Sequence, residues 1–432
     1  MPTAHPPTTD VDGARHELTL DLSDLHGFWT QSIQDRHTAF DTLRGRPGLP
    51  HYPEPTLWSD VPGPGYHAVT RLDDVVEASR NPKVFISGQG ATTAADLPTE
   101  FNEFFGSMIN MDDPRHARLR RIVSRGFTPK MLDAVIDNVA KVAKRIVDDV
   151  IDTGGCDAVT EISAKLPLTV ICDMMGIPAS QHRLVFDRTN VVLGAADPEY
   201  VPDADNIVAA LLRAGADLAA LMRDLAEHRA KHPTDDLTSA LVTAQVDGES
   251  LTPDELASFF ILLLAAGNET TRNAISWGIH LLTEYPDQRS VWLADLDRVT
   301  PTAVEEIVRW ASPVIFMRRT LAAPSVLGGQ RLNTGDKVVL FYWAANRDPE
   351  HFTDPRRFDV LRSPNPHVGF GGPGPHICLG AHLARREVTV MFRELLTRIP
   401  DIHATTGPDR LTSSFINGIK HLPVVFTAGG TQ

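Results

Sequence analysis

Residues 370–380 read Phe-Gly-Gly-Pro-Gly-Pro-His-Ile-Cys-Leu-Gly. Four glycines and two prolines in eleven residues dictate a stiff, sharply turned loop whose backbone can be approached closely. From Leu379 to Ile399 the pattern turns helical, with Leu383, Val388, Val390, Met391, Leu395 and Leu396 apolar among charged positions. Cys378 is therefore expected at a helix N-terminus, where unpaired amides and the helix dipole favour a thiolate over a thiol. A lone cysteine is ordinarily a small buried hydrophobe. This loop chemistry points instead to an axial ligand for a haem iron.

The surrounding chain suits an enzyme. Hydrophobic residues make up 42% and charged residues 22% of 432, which allows a sizeable core under an ordinary soluble surface. A formal net charge of −14 lacks the basic footprint that nucleic acid requires, so none is expected as a partner. Cys156, Cys172 and Cys378 form no paired framework, which favours a reducing cytoplasm. The N-terminus shows no basic segment followed by an apolar one, so secretion is not expected. The longest apolar run, Phe259 to Ala266, falls far short of the ~20 residues a membrane span needs.

Periodicity predicts a mainly α chain with a minor β region. Residues 1–20 are rich in Pro, Thr and Asp and are expected to be disordered, 21–427 to form one domain, and 428–432 a flexible tail. A strand is expected at 67–71 and a helix through 74–78. Further helices are expected from Thr128-Pro129 to Val150 and over about 160–176, 179–195, 203–231 and 301–311. Strands are expected at 314–320, 326–332 and 337–341 and again near 414–426. The most informative helix opens at Thr252-Pro253-Asp254-Glu255, a capping box with Pro at the first helical position. No breaker follows before Pro286, so it runs about 32 residues, or about 48 Å, enough to cross a domain.

Within that helix, Ala266-Gly267-Asn268-Glu269-Thr270-Thr271 interrupts an apolar face. Gly costs ~1 kcal/mol in mid-helix, and Thr can bond back to the preceding turn and bend it. A carboxylate and a hydroxyl here can pass protons into a buried pocket. The bland alternative, a solvated patch, fits poorly after Ile-Leu-Leu-Leu-Ala-Ala. Glu306 and Arg309 share a helical face, as do His116 and Arg120, although either pair alone reads as ordinary surface. His376, Cys378 and His382 admit a zinc reading, but a structural zinc needs four closed ligands and Cys156 and Cys172 stand outside any motif.

Taken in order, Ala266-Gly267-Asn268-Glu269-Thr270, Glu306-x-x-Arg309, Pro355-x-Arg357-Phe358 and the Cys378 loop resemble the cytochrome P450 superfamily, and the likeness extends from about Asp24 to Phe426. The resemblance implies a P450 fold holding haem b, with the Cys378 thiolate on iron and electrons arriving from NAD(P)H through a ferredoxin reductase and a ferredoxin. It implies that His116, Arg120, Arg319 and His376 hold the propionates. Gly267 and Phe370 would lie against the cofactor. Thr270 with Glu269 would deliver the protons that oxygen activation consumes, and Glu306, Arg309 and Arg357 would form a structural triad. Phe370 stands one residue further from the cysteine than the family pattern places it, and Pro375 is an addition to that pattern.

Asp112-Asp-Pro-Arg-His116, Ile171-Cys-Asp-Met-Met-Gly-Ile-Pro178 and Ala303-Val-Glu-Glu-Ile-Val-Arg-Trp-Ala-Ser-Pro313 resemble an actinobacterial branch that hydroxylates methyl-branched lipids at the terminal carbon. Related branches oxidise sterol side chains. The expected function is therefore ω-hydroxylation of a branched lipid or isoprenoid, with Val314, Ile315, Phe316, Phe415 and Ile416 lining the pocket. Alternatives are a sterol side-chain hydroxylase, a peroxide-driven or isomerising enzyme, and a haem-based ligand sensor. An acidic ferredoxin is expected to dock near Arg118, Arg121, Arg125, Lys130, Arg385 and Arg386, on a monomeric protein.

Overall fold

The computed structural model describes residues 20–55, 63–126, 129–203, 206–245 and 248–429. The expected disorder of the first residues, Thr128, the Lys130 side chain and the end of the C-terminal tail lie outside the described residues. The chain opens with α1 (Ile33–Arg44), β1 (His51–Tyr52), β2 (Tyr66–Val69), α2 (Leu72–Arg80), β3 (Phe85–Ile86) and α3 (Thr99–Gly106). Next come α4 (Arg115–Gly126), α5 (Pro129–Val150), β4 (Gly155–Asp157), α6 (Lys165–Met175), α7 (His182–Gly194), α8 (Ile207–Lys231), α9 (Leu237–Thr243) and α10 (Pro253–Glu284). Then follow α11 (Pro286–Ala294), α12 (Leu296–Ala311), β5 (Phe316–Leu321), β6 (Ser325–Leu327), β7 (Gln330–Leu332), β8 (Lys337–Phe341) and α13 (Tyr342–Ala345). The last elements are α14 (Ala381–Arg398), β9 (His403–Ala404), β10 (Asp409–Arg410), β11 (Ile419–His421) and β12 (Pro423–Val425).

α10 is the axis of the helical part. Its 32 residues start as expected, with Thr252 Oγ1 accepting the Glu255 N–H at 3.1 Å and Glu255 accepting the Thr252 N–H at 3.0 Å. It packs against α3, α6, α7, α8, α12 and α14, and most of its side chains are buried. That burial explains why a carboxylate, an arginine and several amides in its middle all need partners. Its Trp277, with Trp292, Phe392 and the apolar faces of α5, α6 and α12, forms the main core. A smaller lobe surrounds a five-stranded sheet in the order β1-β2-β8-β5-β3, in which only β2 and β8 run parallel.

Several boundaries differ from the sequence expectation for identifiable reasons. The run 326–332 is a hairpin and not one strand, because Gly328 and Gly329 take φ of +55° and +74° and turn β6 into β7. α12 starts at Leu296, upstream of Pro301, because Asp295 caps it by accepting the Arg298 N–H at 3.1 Å. The helix near 160–176 divides into a π-turn at Val159–Ser163 and α6, which ends on Gly176 at φ +73°. α14 starts at Ala381 after Gly380, so Cys378 lies in the loop ahead of the helix and not in its first turn.

Candidate functional site

The cysteine loop is built by close approach. Gly371 sits at φ +87°, and a Cβ on Gly374 would collide with the Ser79 carbonyl at the end of α2. The Cys378 N–H donates to the Phe370 carbonyl at 3.0 Å and closes the turn. Cys378 is accessible at its surface, yet protein surrounds it closely enough that burial pushes its thiol up. The Gly380 N–H and the charges of Arg120 and Arg385 act against that rise. Burial thus works against the thiolate that a place just ahead of a helix favours, and a positive charge at sulfur would stabilise it.

Beside it the sequence-predicted cationic residues converge. The His116 and His376 rings lie 4.3 Å apart, and Arg120 Nη2 donates to the Ile377 carbonyl at 2.8 Å. Arg319 is buried and donates to the Arg318 carbonyl at 2.7 Å. The Tyr342 phenol oxygen meets both Arg319 and the Gly372 amide. Burial, with Arg319, His116 and Arg120 nearby, drives His376 down to about 3. His116 Nε2 is buried without a partner. An orphaned imidazole nitrogen close to Arg120, with Asp113 3.6 Å from Nδ1 and Asp112 also near, fits the carboxylates of a haem.

On α10, Ala266 is exposed beside the half-buried Leu262, Leu263, Gly267 and Thr270, and the Thr270 hydroxyl donates to the Ala266 carbonyl at 2.8 Å. Glu269 turns the other way. It is 1% exposed and accepts from Arg272 and, at 3.1 Å, from Asn273 Nδ2. Arg272 in turn donates to Asn190 of α7 at 2.8 Å, while the second Glu269 oxygen has no partner. The sequence reading missed this lock, although Glu269-x-x-Arg272 carries the same spacing as Glu306-x-x-Arg309. A Cβ on Gly267 would meet Ile171 of α6 at 3.4 Å, so the glycine lets α10 and α6 pack closely.

The expected triad is also corrected. Glu306 and Arg309 are fully buried and paired at 2.6 and 2.8 Å. The third member is Arg362, whose Nε donates to both Glu306 oxygens at 3.1 and 3.0 Å. Arg357 is exposed and paired with Asp287 at 3.1 Å, and only its carbonyl turns inward, to Arg309 and Arg362. The turn after Pro355 presents backbone to the pair, and the chain returns five residues later to supply the charge.

Among the expected pocket residues, Ile315 and Phe316 are buried in the sheet-side core with Trp29, Phe40 and Phe341, and Ile416 is 1% exposed. They are core residues, because an apolar run reads alike in a core and in a pocket. Val314 and Phe415 remain partly accessible. Val314 bridges Ile416, and the Ile315 N–H donates to the Phe415 carbonyl at 2.8 Å. Of the expected docking cations, Arg118 is held by Glu249 and Glu255, and Arg385 by Glu305. Arg121, Arg125 and Arg386 are exposed, as is Ile377 at 45%.

Among the described residues, the group close enough to share a metal is Glu199, Asp409 and His421. The Lys420 ammonium already lies among them, 3.1 Å from Glu199. Cys378, His376 and His382 do not assemble into a zinc site. No helix of the described residues is long and apolar enough to cross a membrane.

Comparison with known proteins agrees with this geometry. A family model described as Cytochrome P450 matches residues 217–400. A methyl-branched lipid omega-hydroxylase of Mycobacterium tuberculosis is 50% identical over 403 residues, 93% of each chain. A steroid C26-monooxygenase of the same organism is 40% identical over 84% of this chain and 83% of its own. A Mycobacterium marinum cytochrome P450, solved in complex with pseudoionone, superposes with a TM-score of 0.90 at 42% identity, covering 96% of this chain and 100% of that one.

Proposed function

Because this chain belongs to the cytochrome P450 family, we propose that it is a haem-thiolate monooxygenase that hydroxylates the terminal carbon of methyl-branched lipids or isoprenoids. The observation that carries the chemistry is an accessible Cys378 beside a cationic cluster with an orphaned His116 nitrogen. Haem b, when bound there, supplies the oxygen chemistry, with Cys378 as its thiolate ligand.

Each residue then has a definite task. His116, Arg120, Arg319 and His376 receive the carboxylates and fix the cofactor's orientation. The Thr270 hydroxyl, anchored to the Ala266 carbonyl, offers its oxygen lone pairs to a water or a proton. Glu269 joins that relay only when Arg272 releases it. Val314 and Phe415 present apolar surface to a substrate chain, and water is excluded by the buried residues behind them. Residues 21–427 act as one domain.

Electrons reach the protein from NAD(P)H through a ferredoxin reductase and an acidic ferredoxin. We place that docking at Ile377, Arg121, Arg125 and Arg386, where steering weakens as salt rises. The cysteines are all free, which suits a reducing cytoplasm. The 40% identity to a steroid C26-monooxygenase supports a second reading, oxidation of a sterol side chain. None of these relatives supports the sensor alternative.

The test is a panel of branched, straight and sterol substrates. Each is titrated for the ferric spin-state shift and then turned over with a ferredoxin, its reductase and NAD(P)H. Terminal hydroxylation is expected, with branched tips favoured about four-fold per buried methyl, from ~0.8 kcal/mol each. Dominant internal hydroxylation would overturn the regiochemistry. Preference for sterols would favour the second reading, and binding without turnover would favour a sensor.

A further inference from the structure

α12 and α14 pack together behind the cysteine loop. There Glu305, adjacent in sequence to the buried Glu306, serves a different set of partners. Its carboxylate accepts Arg385 Nε at 2.5 Å and Nη2 at 2.9 Å, and His367 Nε2 at 2.9 Å. The other His367 nitrogen, Nδ1, accepts the Gly369 N–H at 3.1 Å. Nε2 therefore carries the proton and donates it to Glu305. Burial opposes ionisation of Glu305, but His367 and Arg385 hold its carboxyl down at about 2.

From Arg385 the contacts continue to the metal ligand. The guanidinium carbon stands 4.3 Å from the Phe370 ring centroid, and the Phe370 carbonyl accepts the Cys378 N–H at 3.0 Å. A guanidinium fixed by a bidentate carboxylate loses little further freedom in stacking on a ring. The His367 ring, also bound to Glu305, stands 6.2 Å from the Phe370 ring. Neither the cationic cluster nor α10 uses Glu305, His367 or Arg385.

We propose that Glu305, acting through Arg385 and His367, is a positioning residue that clamps Phe370 and with it the backbone presenting Cys378 to iron. This rests on the reading of Cys378 as the thiolate ligand. It also removes Arg385 from the docking surface, because its charge is committed inward.

Position and charge make different predictions. Arg385 is close enough for its charge to be felt at Cys378. If charge alone mattered, Glu305→Gln would expose that cation and raise the haem midpoint potential, whereas Arg385→Gln would lower it. If position matters, both variants loosen Phe370 and act in the same direction.

The experiment takes purified holoprotein of the wild type, Glu305→Gln, Arg385→Gln and the milder Glu305→Asp and Arg385→Lys. It records the reduced carbon-monoxide spectrum, its decay in mild urea to the form lacking thiolate ligation, and the midpoint potential. Both Gln variants are expected to speed that decay about five-fold, with Asp and Lys intermediate and spin-state titration by substrate unchanged. Opposite shifts in potential with unchanged decay would overturn positioning, as would wild-type decay in all four. If the Gln variants fail to retain haem, the Asp and Lys variants decide between the same two outcomes. A wild type without the strongly red-shifted Soret band would instead overturn the ligand reading itself.

Discussion

The loop around Cys378 and the crossing of residues 314–316 with 415–417 are held by different forces. Turns, glycine close approaches and charged side chains fix the cysteine loop: Gly371 and Gly374 set its path, and Glu305 and Arg385 brace it. Backbone pairing and aromatic packing hold the crossing, with Phe316 edge-on to Phe341 and Phe415 at 5.7 and 5.5 Å. Ionic and turn geometry is directional and unforgiving, whereas apolar packing tolerates volume-conserving exchange. A catalytic ligand that must not move therefore sits on the first kind of support. The substrate boundary proposed at Val314 and Phe415 would sit on the second.

The sharpest break between the two regions is Cys378→Ser. Complete loss of the strongly red-shifted reduced carbon-monoxide band is expected, with an unchanged circular dichroism spectrum, since the Gly380 N–H still finds an acceptor. A persisting band would remove Cys378 as the ligand.

Next in size is Phe316→Ala, which empties a core position 4% exposed. It should cost about 3–5 kcal/mol in urea unfolding. Val314→Ala, at a partly accessible site, should cost about 1 kcal/mol and weaken substrate binding instead. If Phe316→Ala kept full stability and changed only substrate affinity, Phe316 would belong to the pocket after all.

Arg362→Met should cost about 3 kcal/mol, because it removes a buried partner from Glu306. Arg357→Met, at an exposed pair, should cost below about 1 kcal/mol. The reverse ranking would restore Arg357 to the triad.

These contrasts also explain what could be read from the sequence. α10, its capping box, the Glu306–Arg309 pair and the Cys378 loop were legible, because each depends on residues within a few positions of one another. The His116, Arg120, Arg319 and His376 cluster came through the family resemblance, since spacing alone cannot join α4, β5 and the loop. Arg362 was hidden because a turn decides which of several nearby arginines points inward. Ile315, Phe316 and Ile416 were misread because hydrophobicity marks burial without saying against what. Arg272 was within reach, as its i,i+3 spacing to Glu269 is plain in the sequence.

Glu387 joins the helix that follows the cysteine loop to α10, and its predicted effect is a pH dependence of stability. It lies on α14, nine residues after Cys378, and bonds to Thr271 on α10, next to Thr270. Burial raises its carboxyl from 4.5 to about 8, against a small opposing effect of the Thr271 bond. Between those values the folded protein keeps the proton and the unfolded chain has lost it. The unfolded state then binds fewer protons, so this group's contribution to stability falls as pH rises. The fall is at most about 1.4 kcal/mol per pH unit, and it stops once pH exceeds the folded value. Glu387→Gln keeps the shape and the bond to Thr271 without the titration. Urea unfolding of both proteins from about pH 5 to pH 8 should show the variant gaining on the wild type as pH rises. Parallel curves would mean that Glu387 is ionised in the fold, with a cation or water beside it that stabilises the charge, and that the contact between the cysteine helix and α10 is ionic and not neutral.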